Sequence, residues 1–115
     1  MFDCHAHLSA VDLQPDLQAL LLEAQSCGVR GIIAVSEGAH DAEAVSVLCT
    51  AYNKKIELAS LQLHPAIGMH PEHANLESLP SVLELIRKYQ QEIICVGEVR
   101  TAAYLHNAAD LNSIA

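Results

Sequence analysis

At 115 residues the chain has room for one domain with a real core and not for two. Hydrophobic residues make up 51% of it and charged residues 17%, a balance that excludes disordered and low-complexity classes. Acidic residues outnumber basic ones 14 to 6, and the formal charge of −8 argues against an unaided grip on a nucleic-acid backbone, where lysine and arginine must displace counterions. A bound divalent cation would reverse that sign locally.

The chain opens Met1-Phe2-Asp3-Cys4-His5, with neither a basic nor an apolar leader, and no apolar run approaches a membrane span. An intracellular protein, cytoplasmic or nuclear, is expected. Residues 2–7 predict a first strand. Leu17, Leu20, Leu21 and Ala24 then fall at i, i+3, i+4 and i+7, which predicts a helix with Pro15 in its first turn and Gly28 as its stop. Residues 31–35 read as a second strand. Val45, Leu48, Cys49 and Tyr52 repeat the helical spacing, with Asp41 as the expected N-cap. Residues 54–62 leave two readings open, a prolonged helix or a short extra strand.

Residues 63–69 predict a third strand. Leu79, Val82, Leu83 and Ile86 predict a third helix, with Ser78 capping and Pro80 in the first turn, and residues 93–97 predict a fourth strand. The runs at 31–35, 63–69 and 93–97 are nearly continuous in apolar residues, as expected for strands buried on both faces of a parallel sheet. The β-α-β-α-β-α-β order predicts an α/β fold with right-handed crossovers. Residues 100–115 change character, and an exposed helix and a frayed tail are both open there. Cys4, Cys27, Cys49 and Cys95 are widely spaced without a C-x-x-C, so four reduced thiols are expected, three of them in the core.

His5 and His7 stand two apart on a predicted strand, which turns both imidazoles to one face and Cys4 and Ala6 to the other. Two readings are open for the pair: ligands sharing a metal ion, or strand-end histidines hydrogen-bonded to a loop. Ser36-Glu37, His70 and Glu98 each follow an apolar run, so all gather at the C-terminal edge of the strands, where sites form in barrels and open α/β sheets. A carboxylate ending a buried strand, as Glu98 does, must be paired, protonated or metal-bound; its bland reading is an ion pair with Arg100 or a helix cap. His70, turned by Pro71, either contacts a substrate phosphate or polarises water, or is a loop histidine held by backbone bonds. His40, His64, His73 and His106 have no role from spacing and default to surface or loop. Cys4 is expected to pack outward against the helices. No G-x-S-x-G elbow or glycine-rich phosphate loop is present, and neither Ser9 nor Ser36 is supported as a nucleophile.

Asp3-Cys4-His5-Ala6-His7-Leu8, Ile67-Gly68-Met69-His70-Pro71 and Val96-Gly97-Glu98-Val99 together resemble the TatD family of metal-dependent deoxyribonucleases, in order and spacing over residues 1–99. The resemblance implies the N-terminal half of a TIM-type (β/α)8 barrel, about four β/α units, with a divalent-metal site at its C-terminal mouth. It implies DNA as substrate, hydrolysed at phosphodiester bonds by metal-activated water. It further implies His5 and His7 as metal ligands, Glu98 as a catalytic ligand shared by two ions (Mg, Mn or Zn), and His70 on the substrate side.

The chain departs from the family after Val99, where Arg100-Thr101-Ala102 replaces a Gly-Leu-Asp segment and later histidine and aspartate ligands are lacking. The expectation is therefore a partial hydrolase domain at 1–99 with a divergent tail at 100–115, a truncated form inactive alone. Open sheet edges invite self-association. The alternative is a non-catalytic isoform or interaction fragment of a barrel protein, and a second competitor is another metal-dependent hydrolase family sharing H-x-H.

Overall fold

A computed structural model describes residues 1–70 and 76–97. Strand β1 spans Phe2–Ala6 and helix α1 spans Leu17–Ser26, after a 3-10 turn at Val11–Asp16. Strand β2 is Gly31–Val35 and helix α2 is Ala39–Asn53. A 3-10 turn at Ile56–Leu58 leads into β3, Gln62–Ile67; helix α3 is Leu79–Lys88 and β4 is Cys95–Val96. The four strands form one sheet in the order β1-β2-β3-β4, every pair parallel. They make a half-barrel, the α/β architecture expected from the alternation of apolar runs and helical stripes.

The helical stripes bury as their spacing demands. Leu17 and Leu21 of α1 and Val45 and Cys49 of α2 pack with Ile32, Ala34 and Leu63 of β2 and β3 in one core cluster. Ala42 of α2, Ile67 of β3 and Val82 of α3 form a second. Gly28 ends α1 with φ of 95°, a conformation that L side chains rarely adopt. Its N–H donates to the Gln25 carbonyl (3.0 Å) and the Val29 N–H to the Ala24 carbonyl (3.0 Å), the paired bonds of a Schellman stop.

The region between α2 and β3 is neither a longer helix nor an added strand. Asn53 closes α2, and its side-chain amide donates to the Leu63 carbonyl (2.9 Å) while its oxygen accepts from the Leu63 N–H (2.8 Å). This two-point clamp satisfies the backbone N–H and C=O of Leu63 and ties the end of α2 to β3.

Other expectations fail for physical reasons. Asp41 is not the N-cap; Gly38 holds that position, and Asp41 one turn inside α2 reaches back to it. Ser78 stands at the N-cap of α3 without a side-chain cap bond, its hydroxyl turned to the Met69 sulfur at 3.6 Å. Pro15 lies in the 3-10 turn rather than in α1 itself. β4 is exposed rather than buried on both faces, because among the described residues it has a single neighbour strand. For the same reason Cys4 and Cys95, on the two outer strands, are exposed; Cys27, just past α1, is exposed as well, and Cys49 is the one buried thiol. His64 is no loop residue but half-buried within β3. Arg100, His73, His106 and residues 100–115 lie outside the described residues.

Candidate metal centre at the C-terminal edge of the sheet

β1 pairs with β2 as Phe2 with Gly31 and Asp3 with Ile32, then as Ala6 with Ala34. The slip inserts one extra residue in β1, a bulge of the kind that re-aims side chains beside functional sites. Beside it His5 and His7 meet, Nε2 to Nε2 at 3.2 Å, with ring centroids 4.9 Å apart and planes at 73°. Two neutral imidazoles at this distance share one proton as donor and acceptor. The separation also matches two nitrogens each about 2.0–2.1 Å from one tetrahedral ion, which lie roughly 3.3 Å apart. The pair therefore fits a divalent cation in donor type and in spacing. His5 is exposed and His7 half-buried, so the shared edge is open to solvent.

Two further loops reach the same place. The Glu37 carboxylate, after β2, lies 4.0 Å from Nδ1 of His7, on the side of the ring away from His5. At that distance the carboxylate stands in the outer-shell position of a ligating histidine, too far for a direct hydrogen bond. His70, after β3, donates its backbone N–H to the Glu37 carbonyl (2.6 Å), and its ring centroid is 6.3 Å from that of His7. Ser36 lies beneath these residues, buried. Its hydroxyl accepts from the Gly68 N–H (3.1 Å), so it ties the ends of β2 and β3 rather than serving as a nucleophile. Glu98 lies outside the described residues.

Asp41 organises these loops, a role its sequence position did not reveal. Its carboxylate accepts the N–H groups of Glu37 (2.9 and 3.1 Å) and Gly38 (3.1 Å) and the Ser9 hydroxyl (3.2 Å). Negative charge at a helix N-terminus is favourable, and here it also ties the loop after β1 to the loop after β2. Glu37, His40 and Asp41 bring ligand-type atoms within 4.8 Å of one another. The signal available in the sequence was the spacing i, i+3, i+4 across the start of α2. A cleft of about 370 Å³ opens between the two loops, lined by His7, Ser9, Glu37, His40 and Asp41 among others.

The chain matches the family described as TatD related DNase over residues 2–105. It is 35% identical over 102 residues to the putative deoxyribonuclease TATDN3 of Mus musculus, a match covering 86% of this chain and 34% of that one. With the deoxyribonuclease TATDN3 of Homo sapiens the identity is 34%, over 86% of this chain and 37% of the relative. The chain thus spans little more than a third of the length of these relatives. Among solved structures, the TatD homologue YJJV from Escherichia coli K12 superposes with a TM-score of 0.72 at 22% identity, covering 99% of this chain and 42% of that one. The TatD-family hydrolase from Entamoeba histolytica gives 0.70 at 20% identity, with the same coverage. These two structures speak for the fold, a partial TIM-type barrel; the sequence matches speak for descent. The chain belongs to the TatD-related DNase family.

Proposed function

We propose that this chain carries part of the cation site and of the substrate-side wall of a metal-dependent deoxyribonuclease. The observation that carries the reading is the convergence of His5 and His7 through Nε2 at 3.2 Å, at the C-terminal edge of a parallel sheet. Family membership and relatives named as deoxyribonucleases support a phosphodiester substrate.

In this reading His5, His7 and Glu98 would hold the divalent cations, and His70 would face the bound strand. When bound, such cations lower the pKa of coordinated water and offset phosphate charge. The chain's own residues prepare the place. The Glu37 carboxylate stands 4.0 Å from the His7 ring, and Asp41 accepts from the Glu37 N–H and the Ser9 hydroxyl. The Glu37 carbonyl holds His70 through its backbone, so three loops keep one geometry without the substrate. Imidazole favours zinc-like ions and carboxylate admits Mg²⁺ or Mn²⁺, so the mixed donor set accepts several metals. Three donors leave two ions under-coordinated, and the 115-residue chain alone is expected to cleave DNA negligibly.

Calorimetric titration with Mn²⁺ or Zn²⁺ tests the site. Wild type should bind and His5→Ala should not; equal binding by both proteins removes the basis of the reading. A cleavage assay on single-stranded and nicked DNA tests the second statement, because robust metal-dependent turnover by the purified chain would show that its own donors suffice.

A further inference from the structure

We propose that the cleft between the loops after β1 and β2 is a nucleobase subsite, in which the Glu37 carboxylate accepts from the amino group of adenine, cytosine or guanine and so disfavours thymine. The proposal rests on the deoxyribonuclease reading and adds to it which part of a DNA strand this wall holds. The cleft encloses about 370 Å³. That is the lower end of the roughly 300–1,000 Å³ of small-molecule sites, and it suits one base rather than a duplex. The cleft begins on the far side of the His7 ring from His5: Nε2 of His7 faces His5 at 3.2 Å, and Nδ1 faces Glu37 at 4.0 Å. It thus adjoins the edge at which a phosphate would meet the cation.

The lining decides what enters. Among the described residues it carries the carboxylates of Glu37 and Asp41 and no lysine or arginine, so a phosphate is repelled and a neutral group with N–H donors is drawn in. The two carboxylates differ. Asp41 is already spent: one oxygen accepts from the N–H groups of Glu37 (2.9 Å) and Gly38 (3.1 Å), the other from the Glu37 N–H (3.1 Å) and the Ser9 hydroxyl (3.2 Å). These contacts fill the roughly four acceptor positions of a carboxylate. The Glu37 carboxylate, by contrast, makes no hydrogen bond among the described residues, its approach to His7 being too long for one. Its backbone is anchored at both ends, the N–H to Asp41 and the carbonyl to the His70 N–H at 2.6 Å, so an unspent acceptor stands on a fixed loop. A cation is the weaker occupant, because with Asp41 saturated only Glu37 and His40 of the cluster remain as ligands, fewer than protein cation sites use. A carboxylate accepting from the cytosine amino group is a recurrent pairing. Thymine offers a single N–H set between two carbonyl oxygens, which a carboxylate repels. Ala10 and the exposed Val11 add apolar surface for the face of a base.

The test follows the Ala10 and Val11 methyl resonances of the protein during titration with free nucleosides, which carry no phosphate and need no metal. Deoxycytidine should shift both, with an affinity about five- to tenfold above that of thymidine, as one hydrogen bond to a partly exposed charged acceptor implies. Deoxycytidine methylated twice on its amino nitrogen keeps the ring and loses the donors, and it should fall to the level of thymidine. Glu37→Ala should bring all three nucleosides together. No shift, shifts confined to other parts of the surface, equal affinities in the wild type, or a preference that survives Glu37→Ala would each overturn the proposal. So would Zn²⁺ moving the same methyls in His5→Ala, because the cleft would then be a cation site. Should Glu37→Ala fail to fold, the comparison of the three nucleosides on the wild type still decides. Calorimetry with Zn²⁺ on wild type and His5→Ala reports on the nuclease reading separately: equal binding removes that reading, while the nucleoside ratios stand or fall on their own.

Discussion

His5 and His7 carry the candidate site at the scale of single side chains. Their spacing promises a shared face, and in the structure they stand Nε2 to Nε2 at 3.2 Å, beside the register shift between Asp3 and Ala6. Gly28 makes an equally local point. With φ at 95°, Gly28→Ala should cost about 1 kcal/mol or somewhat more, read as a lower denaturant midpoint at unchanged m-value. Cys49 differs from the other thiols through burial alone, which pushes its pKa from 9.0 up to about 12. In the native state three thiols should alkylate readily and the fourth only on unfolding; four equivalent rates would contradict this. The raised folded-state pKa fixes the sign of the linkage. The contribution of Cys49 is complete below pH 9 and lost as pH climbs toward 12, because only the unfolded chain can then form the thiolate.

Among the elements, α2 carries the most responsibility, since its first turn holds the site and its last turn holds β3. Asp41→Ala removes the acceptor for Glu37, Gly38 and Ser9 together, and should cost about 1–2 kcal/mol by thermal unfolding while loosening the loops around His7. Asp41→Asn should recover part of that loss, because an amide oxygen still accepts. On the outer surface α2 meets α3 through Glu43, which accepts from the Tyr89 hydroxyl at 2.7 Å and from Lys88 at 3.4 Å. The Tyr89 bond, followed by Lys88, holds the Glu43 carboxyl below its ordinary 4.5. A depressed carboxyl contributes above its unfolded pKa and stops contributing as pH falls through the folded one. The stability difference between wild type and Glu43→Gln should therefore be constant above pH 4.5 and shrink below it; a difference that grows with acid would refute the assignment. Full exposure keeps this tie weak at any pH.

For the molecule as a whole, charge and curvature set the terms. A chain of net charge −8 has little electrostatic pull on DNA, so retention on DNA should require divalent cation and vanish in chelator even at low salt. His5→Ala should abolish the cation-dependent part, which a mobility-shift titration with and without Mn²⁺ would read. Tight binding in chelator would place the contact elsewhere on the surface. Among the described residues both outer strands expose apolar side chains, Phe2 on β1 and Val96 on β4, a state that sheets ordinarily avoid by closure or cover.

The sequence by itself determined the alternation of strands and helices, the stop at Gly28 and the shared face of His5 and His7. These follow from periodicity and from local backbone chemistry, which act over a few residues. Only the tertiary structure decided the rest. Asp41 reads in the sequence as a cap and acts as a clamp on two loops, because its partners Ser9 and Glu37 come together only when β1 and β2 pair. Cys4, expected to pack against the helices, and Cys95, in a run expected to be buried, stand in solvent, because burial of a strand depends on neighbours on both sides, and the sheet supplies β1 and β4 with one neighbour each among the described residues. Apolar composition tells a strand that it should be buried; the number of strands beside it decides whether it is.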